Sequence, residues 1–202
     1  MDTKGVVLGI SGGIAAYKAV EVLRRLVDQG IRVQTVMTAN AQEFIRPLTF
    51  QTLSARHVIT GMFDAVHDVK VEHVSLREEY DLLLVAPATA NILAKFAHGV
   101  ADDFLSTLYL AWNNKVSLLA PSMNSEMYAH PAVQENMEIL RQRGVCFVEP
   151  QKGYLACGTV GTGRLAEPAS IVERTMQLLD AESTLAGVNI LINAGPTVED
   201  LD

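Results

Sequence analysis

The stretch Asp81 to Asn91, Asp-Leu-Leu-Leu-Val-Ala-Pro-Ala-Thr-Ala-Asn, places the strongest constraint on how this chain folds. Leu82 to Ala86 is an uninterrupted apolar run, which reads as a strand of a parallel sheet buried on both faces. Pro87 stops the run, and Ala88, Thr89 and Ala90 keep bulk away from the backbone that follows. Loops of this kind lie at the carboxyl ends of strands, where open α/β sheets bind ligands. On its own the stretch is equally compatible with an ordinary strand-to-helix turn.

A first strand is expected over Val6–Ile10 and a helix over 14–29, closed by Gly30 and joined to the strand by the turn Ser11-Gly12-Gly13. Strand, glycine turn and helix together form an arrangement that can cradle phosphate, because the N–H groups of the first helical turn are unpaired and the helix dipole favours an anion. The same turn can also serve only to pack helix on strand. The residues fit neither G-x-G-x-x-G nor a Walker lysine, since Lys18 follows no glycine. The second strand, Ile31–Met37, ends at Thr38 and not at an acidic residue for a ribose diol. A hydroxyl there suits a terminal phosphate, and so a mononucleotide.

Further along, 39–45 reads as a short helix broken by Pro47, 48–53 as apolar but irregular, 61–68 as a patternless connection, and 73–80 as a polar segment opened by His73. Helices are expected over 91–97 and 104–112, with the pair Asp102-Asp103 available to cap the second. Trp112 reads as core or interface. The strand Val116–Ala120 also ends at a proline-led loop, Pro121-Ser122-Met123-Asn124-Ser125-Glu126-Met127-Tyr128. Parallel strands point the same way, so this loop and the Pro87 loop belong on one side of the sheet. A helix over 131–143 and a strand over 145–148, carrying Cys146 as a buried inert thiol, complete the core. Residues 151–168 hold four glycines around Cys157 and read as a flexible binding flap, in which Cys157 is either a chance thiol or a functional one. A helix over 169–179 closes the unit. Residues 181–185 read as a linker and 188–193 as the first strand of a second unit, so the expected division is 1–182 and 183–202. The fold class is α/β, an open doubly wound parallel sheet in three αβα layers.

Composition narrows the functional classes. The formal net charge is −7 without any basic run, which argues against nucleic acid. Two cysteines do not make a disulfide framework, and no apolar run reaches membrane-spanning length. These features predict a soluble, cytoplasmic protein.

Taken together, Ile10-Ser11-Gly12-Gly13-Ile14-Ala15-Ala16-Tyr17-Lys18, His73, Pro87 to Asn91, Pro121 to Tyr128 and the Cys157 flap resemble the flavin-containing cysteine decarboxylases, across residues 5–180. The resemblance implies a Rossmann-like flavoprotein that uses FMN to decarboxylate phosphopantothenoylcysteine to phosphopantetheine in coenzyme A biosynthesis. It implies a homo-oligomer built of trimers, and it likens residues 185–202 to the start of a ligase domain. Ser11, Gly12, Gly13 and Thr38 would hold the FMN phosphate, and Ala88, Thr89, Ala90 and Asn91 would lie along the ring and ribityl chain. His73 would be the base, Asn124 would hold the substrate carboxylate and Cys157 would donate a proton. Met127 and Arg164 would also meet substrate, the latter through its phosphate, an assignment that rests on charge and position alone. No metal is implied. The family pattern has serine at 89, threonine at 92 and tryptophan at 128. Here Thr89 keeps a hydroxyl and Tyr128 keeps a ring, while Ile92 brings no hydroxyl.

The implied chemistry needs these parts. Loss of CO₂ from an N-acylated cysteine requires an electron sink, which oxidation of the thiol to C=S by a flavin provides. A neutral amide such as Asn124 grips a carboxylate without over-stabilising the ground state, and an acid on a closing loop also excludes water. A flavin prenyltransferase or a regulatory flavin-binding protein of the same fold is the alternative. A nicotinamide module is disfavoured by the missing acidic residue after the second strand.

Overall fold

The computed structural model describes residues 4–62, 72–154 and 160–185. Five parallel strands form the main sheet: β1 (Gly5–Ile10), β2 (Arg32–Met37), β3 (Leu82–Ala88), β4 (Val116–Pro121) and β5 (Cys146–Phe147), in the spatial order β2-β1-β3-β4-β5. The order reverses between β1 and β3, so the connections leave to opposite faces there and open a crevice at the strands' carboxyl ends. The doubly wound three-layer fold expected from the sequence is the one observed.

Two cores hold the layers. On one face, α1 (Ala16–Asp28), α3 (Pro47–Ser54) and α9 (Pro168–Leu185) cover Val6, Leu8, Leu82 and Leu84; on the other, α5 (Ala90–His98), α6 (Phe104–Ala111) and α8 (Pro131–Gln142) cover Val7, Leu83, Val85 and Leu119. β3 is buried at every residue because alternate side chains enter alternate cores. Gly9 in β1 permits a close helix approach: a Cβ there would lie 2.6 Å from Leu105 Cδ1. Trp112 is fully enclosed and its indole N–H donates to Val116 O at 3.0 Å.

Several local expectations are corrected. α2 spans only Ala39–Gln42, and Pro47 opens α3 where a break was expected, because proline's missing N–H costs nothing in a first helical turn. The polar segment before β3 is α4 (Glu72–Glu79), and α7 (Ser125–Ala129) forms inside the Pro121 loop. The glycine-rich flap is an antiparallel ribbon, β6 (Gln151–Tyr154) with β7 (Val160–Arg164). Cys146 is half-buried, not enclosed. The expected linker 181–185 is the last turn of α9, and the expected strand at 188–193 lies outside the described residues.

The acidic pair before α6 caps that helix and holds Lys95. Asp103 Oδ1 accepts from Ser106 N at 2.8 Å while Asp103 N donates to Ser106 Oγ at 3.1 Å, a capping box. Asp102 pairs with Lys95 at 2.6 Å, and that hydrogen bond pulls its carboxyl below the usual range. Burial opposes the charge on Lys95, but the hydrogen bonds of Asp102 and Asp103 outweigh it and hold its pKa up. Asp103→Ala is expected to cost about 1–2 kcal/mol, the worth of a good N-cap, read as a lower urea midpoint. Asp102→Ala, which removes an exposed carboxylate and leaves Lys95 its bond to Asp103 at 3.0 Å, should shift the midpoint less.

Candidate functional site

The carboxyl ends of β1, β3 and β4 are joined by hydrogen bonds. Ser11 Oγ donates to Pro87 O at 2.7 Å, accepts from Thr89 N at 3.0 Å and lies 3.2 Å from Thr89 Oγ1. Ser122 N donates to Ala88 O at 3.0 Å, and Met123 N donates to Gly163 O at 2.9 Å. The last of these docks β7 on the β4 loop. Gly163 has φ +151° and a Cβ there would fall 2.2 Å from Met123 O, so only glycine fits.

These loops wall a cleft of about 1110 Å³. Ser11, Gly12, Gly13, Thr38, Thr89, Ala90, Asn91, Asn124, Met127 and Arg164, all singled out from the sequence, line it. Ala88 does not: it ends β3 with its side chain in the second core and its carbonyl taken by Ser122, because strand alternation turns it inward. His73 lies in the first turn of α4, with its side chain outside the described residues; Cys157 lies outside them altogether.

The Ser11 turn has the properties of an anion seat. The N–H groups of Gly12, Ile14 and Ala15 have no acceptor among the described residues and open on the cleft. Gly12 is pressed against α2, where a Cβ would sit 2.4 Å from Asn40 Cβ. Thr38 caps α2, its Oγ1 accepting from Ala41 N at 3.3 Å, which leaves its hydrogen for a ligand. Thr89 caps α5 in the same way, at 3.4 Å from Ile92 N. This set fits the phosphate and polar chain of a mononucleotide.

A family model described as Flavoprotein matches residues 1–180. The chain belongs to the Flavoprotein family. It is 45% identical over 204 residues to the coenzyme A biosynthesis bifunctional protein CoaBC of Bacillus subtilis, covering 100% of this chain and 50% of that protein. It therefore spans about half the length of the curated relatives it matches. Among solved structures, a PPC decarboxylase mutant complexed with pantothenoylaminoethenethiol superposes with a TM-score of 0.78 at 28% identity, covering 88% of this chain and 99% of that one. The FMN-dependent cysteine decarboxylase SpaF gives 0.76 at 32% identity, covering 88% and 98%.

In this family member, Asn124 sits at the start of α7, its Oδ1 accepting from Glu126 N at 2.8 Å. The cap turns the carboxamide so that its nitrogen is the donor end. Tyr128 anchors the same helix: its hydroxyl donates to Glu149 at 2.9 Å, and Glu149 also receives Arg141 at 2.8 Å. Burial, with the hydrogen bond and charge of Glu149, pushes the Tyr128 phenol up to about 12.

Sequence reasoning missed Lys18 and Tyr154 as cleft residues, although both line it. Lys18 carried a weak signal, a lone cation in an otherwise apolar first turn (Ile14 to Val20).

Two outcomes follow from this geometry. Gly163→Ala should free β7 from the β4 loop, read as faster hydrogen exchange at Met123 N–H; unchanged exchange would show that the ribbon does not depend on that contact. Tyr128 prefers the neutral form more in the folded protein than unfolded, where tyrosine titrates near about 10. Its share of stability is present below that pH and is lost as pH rises through about 12. The phenolate absorbance of the protein minus that of Tyr128→Phe should isolate this late midpoint.

Proposed function

We propose that this chain is an FMN-dependent decarboxylase of phosphopantothenoylcysteine, working in coenzyme A biosynthesis. The observation that carries the reading is the cleft itself: a turn with unpaired N–H groups at the reversal of strand order, with Asn124 on the adjoining β4 loop. The similarity to CoaBC proteins and to decarboxylase structures supports the same reading.

Ser11, Gly12, Gly13 and Thr38 fit the FMN phosphate, and Thr89, Ala90 and Asn91 fit its chain and ring edge. When bound, FMN supplies the hydride acceptor that makes the substrate's thiol carbon a C=S electron sink. Asn124 donates its amide N–H to the substrate carboxylate, orienting it without a formal charge that would resist CO₂ loss. Met127 gives that end of the cleft an apolar wall. His73 takes the thiol proton, a contribution of roughly 10²–10⁴-fold for a positioned base. Cys157, on the connection between β6 and β7, returns a proton to the enethiol. The ribbon itself covers the cleft and excludes water.

We further propose a cytoplasmic homo-oligomer of trimers, with residues 1–182 as the decarboxylase unit and 183–202 leading into a ligase domain. Among the described residues no helix is long and apolar enough to cross a membrane. Support for assembly comes from the cleft mouth, where Ile14, Tyr17 and Tyr154 are 57%, 60% and 71% exposed. Apolar side chains at that density are costly to leave in water.

The purified protein should carry the blue-light absorbance of a flavin and release CO₂ from phosphopantothenoylcysteine; a colourless protein that binds no added FMN sinks the reading. Cys157→Ser should keep the flavin and stop before the final reduction, so that the enethiol accumulates. Full turnover by that variant removes the role given to the thiol.

A further inference from the structure

The cleft holds a second concentration of charge that the proposed function does not use. The residues fitted to the FMN phosphate belong to the loops after β1 and β2. Lys18, Arg164 and Glu167 belong instead to the first turn of α1, the end of β7 and the connection from β7 to α9. Lys18 and Arg164 both line the cleft. The Lys18 ammonium is shut off from solvent and makes no hydrogen bond among the described residues. Its acidic neighbour is Glu167, whose Oε1 lies 3.6 Å away, beyond hydrogen-bonding distance. That same oxygen is already taken at 2.7 Å by Arg164 Nη2.

One carboxylate thus serves two cations and leaves a net charge of +1, with the three donors of an ammonium unused. Burying an ammonium without hydrogen bonds is expensive, and an anion arriving from the cleft would remove that cost. The Arg164 guanidinium offers a fork matched to phosphate oxygens, and Lys18 adds a point charge beside it. Glu167 is 45% exposed and so has room to swing outward.

We propose that Lys18 and Arg164 form a second anion seat in the cleft, which takes the phosphate of the substrate, and that Glu167 fills this seat until the phosphate displaces it. The assignment rests on the decarboxylase reading only in that the substrate is taken to carry a phosphate. A phosphate carries nearly two charges at neutral pH and a carboxylate carries one, so the exchange favours the ligand. Glu167 then plays the part of an internal competitor that keeps the two cations from repelling each other in the empty protein.

The test uses the FMN-loaded protein and calorimetric titration with phosphopantetheine and with pantetheine. The unsubstituted protein should bind the phosphorylated compound more tightly. Lys18→Met and Arg164→Met should each shrink that preference by about tenfold, the worth of one hydrogen bond to a charged group. Both should retain flavin stoichiometry and melting temperature, and Lys18→Arg should keep the preference. Glu167→Gln, which removes the competitor's charge, should tighten phosphopantetheine and leave pantetheine unchanged. A preference that survives both methionine substitutions overturns the seat. Loss of FMN from Lys18→Met with the preference intact also overturns it, by giving the cation to the cofactor. If the unsubstituted protein binds neither compound, the decarboxylase reading fails by itself. Inorganic phosphate then serves as the probe, and equal affinity in Lys18→Met and the unsubstituted protein overturns the seat.

Discussion

Ser11 is 2% exposed, and through one hydroxyl it joins the ends of two strands that run side by side but whose helices leave to opposite faces. The oxygen gives its proton to Pro87 O and receives Thr89 N–H, so the β1 and β3 loops cannot drift apart without unpairing buried backbone groups. The remaining cleft contacts extend from this one: Ala88 O holds Ser122, and Gly163 O holds Met123. Each is a backbone bond between neighbouring loops. The site is therefore built as a continuation of the sheet's own hydrogen bonding past the last regular strand pairs, which is a stiffer foundation than loops closed only by side chains.

The opposite end of the sheet shows how the amino ends are fixed. Asp81 Oδ2 accepts Gly5 N at 2.7 Å, and Lys115 donates to the carbonyls of Tyr80, at 2.6 Å, and Arg77. Arg32 stacks on the Tyr80 ring at 4.5 Å to its centroid. Burial raises the Tyr80 phenol, consistent with a ring committed to packing. Charges at this end close strand termini, whereas those at the carboxyl end face a cavity. The difference in role follows from topology, because only the carboxyl ends carry the crevice.

How much of this was legible in the sequence depends on whether a residue's environment is set by its near neighbours. Leu82 to Ala86 could be read as a doubly buried strand because no polar residue interrupts it, and Ser11, Thr38, Thr89 and Asn124 could be placed at the site because each follows a strand of the same sense. α3 was missed because Pro47 stops one helix and starts another with equal ease. α4 was missed because it has no apolar stripe. The β6–β7 ribbon was hidden by its glycines, which suggest freedom until a partner strand is present to use them. Ala88 was not seen to turn its side chain into the second core, one step of strand alternation away from the cleft. Lys18 was passed over because a lysine on a helix reads as solvated, and its burial is decided by residues nearly 150 positions away, at Arg164 and Glu167.

The cap on α7 has a consequence for how this protein can change over time. Asn124 spends its oxygen on the backbone of its own helix and lines the cleft. An aspartate would cap that helix equally well while replacing a donor by a negative charge. The cap itself is blind to the exchange, while the chemistry of the cleft registers it. At this position, then, the helix end does not hold the residue to its identity, and a drift away from one ligand and toward another lies a single substitution away.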